Sequence, residues 1–67
     1  AAIEAMDLGQ IEKRIEELER RTREIDASMM DPKVYGDSAR SRTLAAERER
    51  LQQELEPLEF EWSRRGD

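Results

Sequence analysis

Residues 31–37 read Asp31-Pro32-Lys33-Val34-Tyr35-Gly36-Asp37, and they divide the chain. Proline disfavours helical backbone in the residue before it. A helix arriving from the N-terminal side should therefore end near Met29 or Met30. Asp31 can cap a short turn that starts at Pro32, because proline suits a first helical position. Gly36 permits a sharp change of direction. Asp37 or Ser38 then stands where a second helix needs an N-cap.

Upstream of this stretch the apolar positions run Leu8, Ile11, Ile15, Leu18, Thr22, Ile25, Met29. They alternate steps of three and four residues, the narrow stripe of a coiled-coil seam rather than a broad globular face. Thr22 is the one polar member, and its methyl can still pack. Asp7 and Gln10 have the spacing of a capping box at the start of the helix. Glu16–Arg20 and Glu17–Arg21 have the favourable acid-first order for ion pairs one turn apart. Downstream, the second stripe reads Leu44, Arg48, Leu51, Leu55, Leu58, Trp62. The long stem of Arg48 can lie across the seam with its charge in water. Pro57 falls inside this second pattern. Leu58 and Trp62 stay in phase beyond it, so a kinked helix is expected to continue to about Arg64.

A chain folded back at Gly36-Asp37 pairs the two stripes in one register. Ile11 faces Trp62, Ile15 faces Leu58, Leu18 faces Leu55, Thr22 faces Leu51, Ile25 faces Arg48 and Met29 faces Leu44. The expected fold is all-α: a two-helix antiparallel coiled-coil hairpin, with helices at about 8–30 and 38–64. Residues 1–7 read as a leader or linker, and 8–65 as the hairpin domain with its tip at 31–37. A parallel dimer of one continuous helix also needs sustained heptads, but Asp31-Pro32 and Gly36 oppose it. Trp62 is expected to supply the largest apolar patch and Tyr35 to plug the tip. Ile3, Met6 and Phe60 lie off the stripe, where they could pack on the open end or support a weak homodimer.

Composition narrows the function. The chain has 67 residues, so it holds one domain at most, and at 43% charged residues only its periodicity separates it from a disordered chain. With no cysteine and no histidine, disulfide frameworks and thiolate zinc sites are excluded. No apolar run approaches a membrane span, and no signal peptide is visible; a cytoplasmic location is expected. The first residue is not Met, which reads as a piece of a longer protein. No glycine-rich phosphate loop, nucleophile elbow or metal-ligand spacing is present. Outward carboxylate pairs such as Glu16-Glu17 lack the cleft that acid–base catalysis requires. No catalytic role and no cofactor are expected in these residues.

The formal net charge is -5, unevenly spread. Residues 20–50 hold eight basic and six acidic side chains; the remainder holds four basic and eleven acidic. Arg20, Arg21, Arg23, Lys33, Arg40 and Arg42 fall toward the tip, and such side chains attract phosphate backbones. Two readings stand side by side: a solvated helix surface with local salt bridges, and a tip that touches nucleic acid through its backbone, without base stacking.

The stretch "DPKVYGD" between two heptad helices, followed by "LAAERERLQQELEPLEFEW", resembles the C-terminal coiled-coil domain of ABC-F family ATPases. Asp31, Pro32, Val34, Tyr35, Asp37, Leu51, Leu55 and Trp62 carry the resemblance, which covers about residues 8–65. It implies a cytosolic parent protein with two ATP-binding cassettes that hold ATP and magnesium outside this segment. It also implies partners among ribosomes or DNA, with the tip arginines and Lys33 as contact candidates. The tRNA-binding hairpin arm of an aminoacyl-tRNA synthetase, such as the valyl enzyme, looks similar. A purely structural or dimerisation hairpin needs no nucleic acid at all.

Overall fold

The computed structural model describes residues 3–66. Ala1 and Ala2, in the expected leader, and Asp67 lie outside them. The described chain is all-α: a 3-10 turn at Ile3–Ala5 precedes α1 (Leu8–Met29), α2 (Pro32–Tyr35) and α3 (Ser38–Gly66).

Each helix begins on a cap that the sequence supplies. The Asp7 carboxylate accepts from the Gln10 amide at 2.8 Å, and the Asp7 amide donates to the Gln10 side chain at 2.9 Å. This reciprocal box satisfies two orphan donors at the start of α1. Asp31 Oδ1 accepts from the Lys33 amide at 2.9 Å, with Pro32 opening α2. Asp37 Oδ1 accepts from the Arg40 amide at 3.2 Å and starts α3. Gly36 is not in the left-handed region: its φ is -77°. What requires glycine there is space, because a Cβ would lie 2.8 Å from the Pro32 carbonyl oxygen.

The single turn of α2 buries Val34 and leaves Tyr35 62% exposed. The expectation that Tyr35 plugs the tip is therefore corrected. Successive helical residues are rotated by about 100°, so when Val34 faces the long helices, its neighbour is turned away from them.

α1 and α3 pack along each other with opposed directions. Arg14 binds Glu54, and one heptad further along α1, Arg21 binds Glu47, one heptad back along α3. The Trp62 indole donates to Glu12 at 3.0 Å; two heptads away, Arg48 donates to Asp26 at 2.7 Å. One register thus runs along both flanks of the pair. Ile11, Leu18, Leu55 and Leu58 form the buried cluster, with Ile15 and Leu51 partly buried against it. Ile25 is also buried. Thr22 is accommodated in this seam because its hydroxyl donates to the Leu18 carbonyl at 2.9 Å. α3 runs through Pro57 without interruption. The described chain is a rod of 44 × 17 × 16 Å, the length that a 29-residue helix gives at about 1.5 Å per residue.

The open end departs from the simple stripe. Trp62, expected as the partner of Ile11, is 45% exposed, while its neighbour Glu61 is buried. Two interactions account for this. The indole N–H is drawn to Glu12 on the flank of α1, and the Glu61 carboxylate is held by Arg64 (2.5 Å) and Arg65 (2.8 Å). A buried carboxylate is tolerated when it is paired in this way. Arg65 also donates to the carbonyls of Ile3, Glu4 and Met6. Those contacts hold the 3-10 turn down, and Ile3 and Met6 pack on the core. Phe60 remains 70% exposed.

Two outcomes follow for urea and thermal unfolding. Ile25→Ala should cost about 2–5 kcal/mol, as for other fully buried aliphatic truncations, and Trp62→Ala distinctly less; the reverse order would contradict this core. Gly36→Ala should lower the melting temperature because its methyl meets backbone. Gly66→Ala, with open space around the new Cβ, should not.

Candidate nucleic-acid interface

The six basic residues singled out by the sequence do not form one patch. Arg20 and Arg23 lie exposed on α1, roughly 9–14 Å along the axis before the helix ends; Arg23 borders the groove between α1 and α3 near Gln52 and Leu55. Lys33 is on α2, and Arg40 and Arg42 are in the first turns of α3, all exposed. Arg21 is committed elsewhere. Its guanidinium grips Glu47 with two bonds, at 2.6 and 3.0 Å, and reaches Glu24 at 3.5 Å. The hydrogen bond to Glu47 raises the Arg21 pKa further, and the same bond holds the Glu47 carboxyl below its ordinary value. Neither expected acid-first pair forms. Arg21 turns to Glu24 and across to Glu47, while Glu17 pairs with Arg14 at 3.3 Å.

The cross-helix ion pairs sort the remaining charges. In residues 20–50, Arg21 and Arg48 engage Glu24, Glu47 and Asp26. Asp31 and Asp37 are turned to backbone amides as caps. Arg20, Arg23, Lys33, Arg40 and Arg42 make no ion pair with any described residue, and neither does Arg50. Arg50 is exposed on α3 and was not singled out by position along the chain.

At the open end the balance is opposite. Arg14 is bound to Glu54 and Glu17, and Arg64 and Arg65 to Glu61. Lys13 is the one cation there without an ion pair among the described residues. The Glu61 carboxyl is held below its ordinary value, first by its bonds to Arg64 and then by Arg65. A groove of about 670 Å³ at this end has Ile15 and Trp62 among its walls, together with Glu12, Glu16, Glu19 and Glu59. Such a lining repels phosphate. Among the described residues there is no grouping of His, Cys, Asp or Glu able to hold a metal. No described helix is long and apolar enough to cross a membrane.

Compared with known families, residues 3–64 match the model of the ABC transporter C-terminal domain. No curated protein and no solved structure matches the chain.

The ion pairs predict a pH response. Glu47 and Glu61 have depressed folded-state pKa values, so their contribution is complete above the ordinary value of 4.5. It is lost as pH falls below that value through the folded-state pKa. The melting temperature should drop on acidification below about pH 4.5, and the drop should be shallower in an E47Q/E61Q variant. Equal slopes in the two proteins would contradict the assignment.

Proposed function

The chain belongs to the ABC transporter C-terminal domain family, and from that premise we propose that it is a non-catalytic appendage of an ABC-F type ATPase that holds nucleic acid. In this reading residues 8–65 form an antiparallel coiled-coil hairpin with its tip at 31–37. ATP and magnesium belong to the cassettes of the parent protein, which works in the cytoplasm. The rod presents its far end to the phosphate backbone of DNA or ribosomal RNA.

The observation that carries this reading is the separation of unpaired charge. Internal ion pairs use up nearly all the cations of the open end. They leave Arg20, Arg23, Lys33, Arg40, Arg42 and Arg50, toward the tip, without an ion pair to any described residue. A polyanion is steered by this local field rather than by the net charge, so a chain of net charge -5 can still dock by one end. Contact through phosphates is salt-sensitive, with a slope of about 0.9 per phosphate neutralised on duplex DNA.

Gel-shift titrations with duplex DNA and with ribosomal RNA at several salt concentrations test this. Charge reversal at Lys33, Arg40 and Arg42 should weaken binding tenfold or more, on the order expected from losing about three phosphate contacts, and flatten the salt dependence. Lys13→Glu, at the open end, should leave both unchanged. Affinity that ignores the tip reversals would refute the interface, and the preferred nucleic acid identifies the partner.

A further inference from the structure

We infer that Tyr35 is a stacking platform for an unpaired nucleobase, so that the tip favours single-stranded or looped nucleic acid over a regular duplex. The inference rests on the proposed nucleic-acid contact and specifies which form the tip takes.

Val34, not Tyr35, is the buried residue of α2, so the tyrosine ring is left mostly to solvent. The ring is 62% exposed at the end of the rod. Met30, the C-cap of α1, is 80% exposed beside the same turn. In a single helical turn with Val34 facing inward, Lys33 and Tyr35 project on either side of it. A cation and an aromatic face therefore flank one small turn, with Arg40 following in the first turn of α3.

The other exposed aromatic side chains, Phe60 and Trp62, are at the opposite end. There Glu12, Glu16, Glu19 and Glu59 surround the Trp62 groove. Among the described residues, Tyr35 is the exposed aromatic side chain with a cation free of ion pairs, Lys33, within two positions of it; the cation nearest Phe60 and Trp62 in sequence, Arg64, is bound to Glu61. The two carboxylates nearby, Asp31 and Asp37, accept from the Lys33 and Arg40 amides. Held as caps, they sit against the positive ends of helices, which offsets their charge.

Phosphate contacts alone do not distinguish single strands from duplexes, whereas a ring that stacks on a base requires that base to be out of its helix. Base–aromatic stacking is sequence-tolerant and adds to backbone contacts.

The test compares the affinity of the chain for a short single-stranded oligonucleotide and for its blunt duplex, in wild type and variants. Tyr35→Ala should weaken single-strand binding about fivefold or more and leave duplex binding unchanged, while Tyr35→Phe should keep wild-type affinity for both. Circular dichroism should show the same helicity in all three proteins, as expected for an exposed side chain. Equal loss on single strand and duplex, no loss on either, or absence of single-strand binding in wild type would overturn the inference. In the second case, loss of duplex binding on reversing Lys33, Arg40 and Arg42 would show that the phosphate interface stands without it. If those reversals also have no effect, the interface itself fails.

Discussion

The register in which α1 and α3 meet is the constraint on which the rest depends, and the short turn between them sets it. Charge alone would not. Glu47, Glu54 and Glu61 recur every seven residues on α3, and Arg14 and Arg21 do so on α1. A slip of one heptad would offer Arg14 a different glutamate of the same ladder. Apolar stripes with a seven-residue period tolerate the same slip. The turn does not, because Asp31, Pro32, Gly36 and Asp37 leave no slack. Two aspartate caps and a proline define where one helix stops and the next begins, and the Gly36 backbone sits too close to the Pro32 carbonyl to admit a side chain.

With that register, the flanking ion pairs become a sorting device. Individually such exposed pairs contribute little to stability. Their larger consequence is which charges they remove from the surface. Arg14, Arg64 and Arg65 are spent on glutamates near the open end, while Arg21 and Arg48 are spent in the middle against Glu47, Glu24 and Asp26. Among the described residues, the far half keeps mostly free cations, with Glu49 unpaired among them, and the near half keeps mostly free carboxylates, with Lys13 unpaired among them. The function proposed above would draw on that polarity, because negative charge at the open end discourages a polyanion from binding there.

Much of this was legible in the sequence because it is written in local rules. The Asp7–Gln10 box, the helix stop before Pro32, the Asp31 cap and the Asp37 cap each involve residues within a few positions of one another. The stripes needed only periodicity. What was not legible is where two neighbours compete for one direction. Val34 and Tyr35 are both apolar, and only the phase of the four-residue α2 decides which is buried. Glu61 and Trp62 compete likewise at the open end. Hydropathy favours Trp62, but Arg64 and Arg65 neutralise the glutamate, and Glu12 offers the indole a partner on the flank. The engagement of Arg21 was illegible for a related reason: its partner lies twenty-six positions away, at Glu47. Arg50 was overlooked because it lies far along α3, while the three-dimensional balance leaves it unpaired.

The register can be tested directly because the chain has no cysteine of its own. Paired cysteines replacing Arg14 and Glu54, or Arg21 and Glu47, should be joined rapidly within one chain by a short thiol-reactive crosslinker. The mismatched pairs, Arg14 with Glu47 and Arg21 with Glu54, should react slowly or between chains. Rapid intramolecular linkage of a mismatched pair, or linkage of the matched pairs only between chains, would contradict the register and the charge polarity that follows from it.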